Sequence, residues 1–135
     1  CADMTRTFFY KKVPSEKHRA IYETVRRANA AAEAILKPGI PLCEVDKAAR
    51  QIIEDAGYGP NFTHRLGHFI GLEVHEYGDV SSANTKVAEV GNIFSIEPGI
   101  YVEGEVGVRI EDLVLITEDG CEILNSFSKE LDIVE

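Results

Sequence analysis

The sequence contains no apolar run near the roughly 18–20 residues that a membrane-spanning helix requires. Positive charge is also scarce, with 14 Lys and Arg against 23 Asp and Glu and a formal net charge of −9. That balance argues against a nucleic-acid partner, whose phosphates demand a basic surface. It is compatible with carboxylates gathered around a cation. Cysteine is sparse: Cys1, Cys43 and Cys121 lie far apart and are odd in number. Their spacing gives neither a disulfide framework nor a CxxC zinc site and suits a reducing compartment, so a cytoplasmic location is expected. There is no internal repeat, low-complexity tract or linker, and no charged-then-apolar leader. The opening, CADMTRTFFY, lacks an initiator Met and reads at once as a strand, which raises the expectation that residues 1–135 belong to a longer protein.

What is present fits one globular domain with a single modest core: 135 residues, 44% hydrophobic and 27% charged. After the opening strand, TRTFFY, the segment VPSEKHRAIYETVRRANAAAEAILKPG predicts a helix. Ser15 serves as N-cap, Glu16 suits the positive end of the dipole, and Ile21, Val25, Ala28, Ala32 and Ile35 recur at helical spacing until Pro38-Gly39 stops the run. LCEVDKAARQIIEDAGYG predicts a second helix, with Val45, Ala48, Ala49, Ile52 and Ile53 on its apolar face and Gly57 near its end. Gly67 and Gly71 then interrupt any helical pattern, and the chain turns to short strands. From Val90 onward Phe94 and Ile96 alternate with Ser95 and Glu97, and Pro98-Gly99 bends the chain before Ile100 to Val102. Val108 to Ile116 reads as one alternating strand, Thr117 to Gly120 as a hairpin turn and Cys121 to Leu124 as a returning strand. The order predicts an α+β fold, helices packed on a mainly antiparallel sheet.

Two carboxylates disturb this pattern. Glu97 and Glu111 sit among apolar neighbours on separate strands, where an isolated charge is costly. If the strands are adjacent the carboxylates converge, and the remedies are a raised pKa or a cation between them. His68, in the Gly-flanked LGHFIG, offers an imidazole, and Asp3 offers another carboxylate. One nitrogen and several hard oxygens suit manganese, ferrous iron, cobalt or zinc. The plainer reading pairs Glu97 or Glu111 with Arg109 or Arg65 and leaves His68 as a hydrogen-bonded structural residue. His64 and His68 are four apart, but Gly67 and the missing Glu argue against the HExxH helix of zinc proteases.

Five segments, ADMTRTF (2–8), HRLGHFIGLEVHE (64–76), FSIEPGIYV (94–102), GVRIEDLVLIT (107–117) and DGCEIL (119–124), carry a resemblance. In order and in spacing they resemble the C-terminal part of the catalytic domain of the pita-bread metallopeptidases, within the Xaa-Pro dipeptidase (prolidase) and aminopeptidase P branch. The methionine aminopeptidase branch shares the metal pattern, but IYVEGEVGVRIED is more similar to the proline-directed members. The resemblance implies a pita-bread fold and two divalent ions per complete active site, manganese foremost and cobalt, zinc or iron acceptable. It implies Asp3, His68, Glu97 and Glu111 as metal ligands, with Asp3 and Glu111 bridging. His75 then steadies the tetrahedral intermediate, His64 lines the substrate pocket, and Arg109 and Thr5 support the ligands from behind. The implied reaction is hydrolysis of a peptide bond next to proline by a hydroxide shared between the ions, with Glu97 moving the proton. The implied partners are short proline-containing peptides and, for the longer protein, a second copy of itself.

Two departures qualify the resemblance. The family's first aspartate ligand belongs upstream of Asp3, so residues 1–135 are expected to serve one ion position fully and to be nearly inactive alone. Phe69 stands directly after His68, where the family usually has Gly, and a ring there either narrows the cleft or fills a void. A non-catalytic binding module and a metal-free hydrolase similar to creatinase are the alternatives on the same fold.

Overall fold

Ser15 opens the first helix in extended backbone, and its hydroxyl accepts the His18 N–H. In the computed structural model, which describes every residue from Cys1 to Glu135, helix α1 spans Glu16–Ala34 and helix α2 spans Leu42–Asp55. The helices lie against each other because their apolar stripes are continuous: Ile21, Val25, Ala28 and Ala32 on α1, and Val45, Ala49 and Ile53 on α2, are fully buried. No helix is long and apolar enough to cross a membrane.

The strands are β1 (Phe9–Tyr10), β2 (Gly67–Phe69), β3 (Glu76–Val80), β4 (Ile93–Ile96), β5 (Gly99–Val102), β6 (Val106–Arg109), β7 (Asp112–Ile116), β8 (Cys121–Ile123) and β9 (Ile133–Val134). Five of them form an antiparallel sheet in the order β3-β2-β4-β7-β8, while β5 and β6 form a separate two-stranded arm. The α+β architecture expected from the sequence is the one observed. Because β4 and β7 are interior strands covered on both faces, even Ser95 and Asp112 are fully buried.

Three expectations are corrected. TRTFFY is not one strand: Thr5 makes an isolated antiparallel bridge to Glu111, and only Phe9–Tyr10 pairs, in parallel, with β9. Val108 to Ile116 is not one strand either, but is divided between β6 and β7. Glu97 does not sit inside a strand; with Pro98 it forms the break between β4 and β5. The cause is Pro98, which has no N–H to give to the ladder. The Glu97 N–H is drawn away to the Leu66 carbonyl (2.8 Å).

Register explains why the break matters. Ile96 pairs with Asp112 on one side of it and Gly99 with Arg109 on the other, so the numbers sum to 208 in both pairs. Carried through the break, the same register sets Glu97 opposite Glu111. Its origin is the turn at Gly104, which has a φ of 72°, suits glycine and joins β5 to β6. Two carboxylates thus face each other where the ladder opens.

Strand β2 reaches β4 by an unusually close approach. A Cβ on Gly67 would lie 1.8 Å from the Ser95 carbonyl oxygen. Gly67→Ala is therefore expected to cost about 1–3 kcal/mol or more, because the obstacle is backbone in a packed sheet. Thermal unfolding checks this, and wild-type stability would show that β2 can move aside freely.

Candidate metal centre

Four side chains meet beside the break. His68 Nε2 lies 3.4 Å from Asp3 Oδ2, 3.4 Å from Glu97 Oε2 and 4.0 Å from Glu111 Oε2. Ligand atoms of Asp3, His68 and Glu111 all fall within 4.8 Å of one another. His68 is fixed twice. Its N–H donates to Ser95 Oγ (2.9 Å), and its Nδ1 lies 3.1 Å from the Phe69 carbonyl oxygen. A carbonyl oxygen accepts and never donates, so Nδ1 carries a proton and Nε2 is the ring nitrogen that faces the carboxylates. Nε2 and three carboxylates thus crowd one place, an arrangement that requires a proton between them or a cation.

The electrostatics agree. Burial first, then the hydrogen bond and charge of Glu97, push the Glu111 carboxyl from its ordinary 4.5 up to about 7, although Thr5 pulls the other way. Thr5 Oγ1 donates to Glu111 Oε1 at 2.6 Å, and Arg109 Nε donates to Thr5 Oγ1 at 3.3 Å, so both supporting residues expected from the sequence lie behind the carboxylates. The competing ion pairs do not form as the plainer reading had them: Arg65 is beside Asp79 at 3.8 Å. The donor set, one imidazole nitrogen with hard carboxylate oxygens, fits an oxygen-preferring divalent ion.

The remaining residues divide. The exposed His75 ring packs against His68 at a tilt of 44°, with centroids 4.1 Å apart, and so borders the site. His64 is farther out: its Nδ1 donates to the Arg65 carbonyl (2.7 Å), and its Nε2 accepts from the Tyr101 hydroxyl (2.8 Å). Burial is the largest of the influences that lower the His64 pKa. Phe69 points to the opposite face of β2, where its ring packs on Phe94 with centroids 5.4 Å apart and lies over Gly78. It does not narrow the cleft.

Tyr101 escaped the sequence reading, although its signal was there. Glu97, Gly99 and Tyr101 are two apart and share a face, and the Tyr101 ring lies back over Gly99 toward the site. A second group gave less warning. Arg50 of α2 donates to the carbonyls of Phe62 (3.1 Å) and His64 (3.0 Å) while paired to the buried Asp46 (2.8 Å), which also accepts the Leu66 N–H (3.2 Å). Helix α2 thereby holds the segment that carries His64 and leads to His68.

The chain is similar in sequence and fold to known proteins. An uncharacterized peptidase of Staphylococcus haemolyticus is 53% identical over 129 residues, 96% of this chain and 36% of the relative. The prolidase from Pyrococcus horikoshii superposes with a TM-score of 0.93 at 46% identity, covering 96% of this chain and 37% of that one. An Xaa-Pro dipeptidase from Bacillus anthracis gives 0.95 at 40% identity over 99% of this chain and 38% of its own. The X-Pro aminopeptidase from Thermotoga maritima gives 0.94 at 40% identity over 99% of this chain and 38% of its own. The chain thus spans 36% of the length of the curated relatives it matches. The architecture is that of the pita-bread fold, of which these residues form a part. Since residues 1–118 also match the family's sequence pattern, the chain belongs to metallopeptidase family M24.

Proposed function

We propose that residues 1–135 are the C-terminal portion of the catalytic domain of a metal-dependent peptidase that cleaves next to proline. One observation carries the reading: His68 Nε2 and the carboxylates of Asp3, Glu97 and Glu111 converge on one place within 4.0 Å of that nitrogen, a donor set that a divalent ion satisfies better than any side chain present. Asp3, His68, Glu97 and Glu111 would hold it. Manganese suits the oxygen-rich set best, with cobalt, zinc and iron also accepted. When bound, divalent ions lower the pKa of an attacking water and polarise the scissile carbonyl.

The chain's own residues do the rest. Glu97, half-buried and beside the break, takes a proton and delivers it toward the leaving nitrogen. His75, exposed at the rim and packed against His68, donates a hydrogen bond to the substrate carbonyl as charge builds there. His64 and Tyr101 form a wall of the substrate pocket. The proline preference is supported by likeness to a prolidase, an Xaa-Pro dipeptidase and an X-Pro aminopeptidase.

The test begins with metal content. After incubation with manganese and desalting, residues 1–135 are expected to retain one ion per chain. Two tightly held ions would overturn the division of ligands, and none with manganese, cobalt or zinc would sink the metal reading. A longer protein containing these residues is expected to hydrolyse Gly-Pro dipeptides or longer Xaa-Pro peptides when manganese is supplied. Hydrolysis of creatine without metal would favour the creatinase-like alternative and end the peptidase reading.

A further inference from the structure

Arg6 spends every N–H it has inside the protein. Its side chain is 9% exposed. Nη1 donates to the carbonyls of Thr5 (2.9 Å) and Glu111 (2.7 Å). Nη2 donates to Asp112 Oδ1 (2.7 Å) and the Phe127 carbonyl (2.9 Å). Nε is shared between the carbonyls of Phe127 (3.3 Å) and Ser128 (3.0 Å). One guanidinium therefore ties its own segment, which bears Asp3, to two stretches more than a hundred residues further along the chain: the link bearing Glu111 and the C-terminal stretch.

The placement is informative. Most of the bonds go to main-chain carbonyls, so they fix where the backbone runs and do little to balance charge. Two of those carbonyls belong to Thr5 and Glu111, which also form the isolated bridge (3.4 and 3.0 Å) that lays the first segment beside the hairpin break. The C-terminal stretch is itself anchored. The Tyr22 hydroxyl donates to the Lys129 and Glu130 carbonyls (2.9 and 3.1 Å), and Lys129 Nζ reaches Asn29 (2.6 Å) and Glu33 (2.8 Å) on α1.

We propose that Arg6 is a positioning residue for the metal centre. It sets the separation of Asp3 and Glu111 by gripping the backbone beside both, and residues 125–132 hold it in that pose. The proposal rests on the metal reading above. Ligand atoms must sit within a few tenths of an ångström of their places for tight binding, and only a planar fork with five donors reaches all of these carbonyls at once. Lysine, a point charge with three donors, keeps the contact with Asp112 and gives up most of the rest.

The experiment is a cobalt(II) titration of the chain, followed by visible absorption, for wild type, Arg6→Lys, Arg6→Gln and the core variant Ile53→Val. Ile53 is fully buried on α2 and away from the ligands, so its variant reports loss of stability alone. At a temperature where each variant is folded, both Arg6 variants are expected to bind cobalt about tenfold or more weakly and with altered band shape, as for other groups that orient metal ligands. Ile53→Val is expected to melt earlier yet keep the wild-type affinity and spectrum. Wild-type affinity and spectrum in either Arg6 variant would overturn the proposal. If neither variant folds, nuclear magnetic resonance of wild type decides: resolved, slowly exchanging Nη–H signals for Arg6 are expected, and averaged signals from a rotating guanidinium would overturn it. Absence of cobalt binding by wild type would instead remove the metal reading, and the inference with it, while the Nη–H signals would still report whether the clamp exists.

Discussion

Glu111→Gln is expected to lower divalent-ion affinity by about 100-fold or more and, in metal-free protein, to raise stability at pH 8 by roughly 1–3 kcal/mol. The two effects share a cause. The Glu111 side chain is 3% exposed, and burial together with Glu97 lifts its carboxyl to about 7. An acid whose pKa rises on folding contributes its full stability below its ordinary 4.5, and that contribution is lost as pH rises through the folded value near 7. Metal-free wild type should therefore lose stability from pH 5 to pH 8, and the amide should remove that part of the decline. Glu33, whose carboxyl burial and Asp112 also lift to about 7, adds a parallel decline that the variant keeps. The comparison is consequently between two slopes of melting temperature against pH. Identical slopes would mean that Glu111 and Glu97 are well solvated, which removes the need for a cation between them.

Asp112→Ala is expected to destabilise the chain by about 3–5 kcal/mol, on the order of a 10–20 °C drop in melting temperature. Asp112 is fully buried, which alone would raise its pKa. Donors from Glu33, Lys129, Arg6 and Asn125 outweigh burial and hold it at about 2. Its oxygens take the Arg6 guanidinium (2.7 Å), the Asn125 amide and the Lys129 ammonium. Truncation leaves two cations largely buried with one fewer anion to face, and an uncompensated buried charge is what makes such a loss expensive. Asp112→Asn should cost less, since it keeps an oxygen for Arg6. A loss under about 1 kcal/mol for the alanine variant would show that water enters the cluster and stands in for the carboxylate.

The helices were readable because their information is local: the period of Ile21, Val25, Ala28 and Ala32, the cap at Ser15, and the Pro38-Gly39 stop are all set within a few residues of one another. The opposition of Glu97 and Glu111 was nearly readable too, since Gly104 marks the turn and counting outward from it pairs the two. The division of the Val108 to Ile116 run was not. Alternation continues unbroken through Ile110 and Glu111, and the break comes from Pro98 on the partner strand. Likewise TRTFFY has strand-forming composition, but a strand needs a neighbour, and only Thr5 and the Phe9–Tyr10 pair find one. The clusters around Asp112 and Arg50 were hidden for a different reason. Arg6, Glu33, Lys129, Asp46 and Arg50 look like solvated surface charge in a sequence, and their charged partners are as far away as Asp112 is from Arg6, a separation of 106 residues. Composition carries no trace of such pairings.

The arm formed by β5 and β6 carries a consequence for how such chains can change length. Its tip at Gly104 is solvent-exposed, the sort of place where inserted or deleted residues usually do little harm. Here they would not be silent. One residue added to a single side of the arm moves the opposite number of Glu97 from Glu111 to a neighbour and turns that neighbour's side chain to the other face. Growth or shortening at the tip is compatible with the carboxylate pair only when both sides change together, so drift in this exposed loop is yoked to chemistry seven residues away.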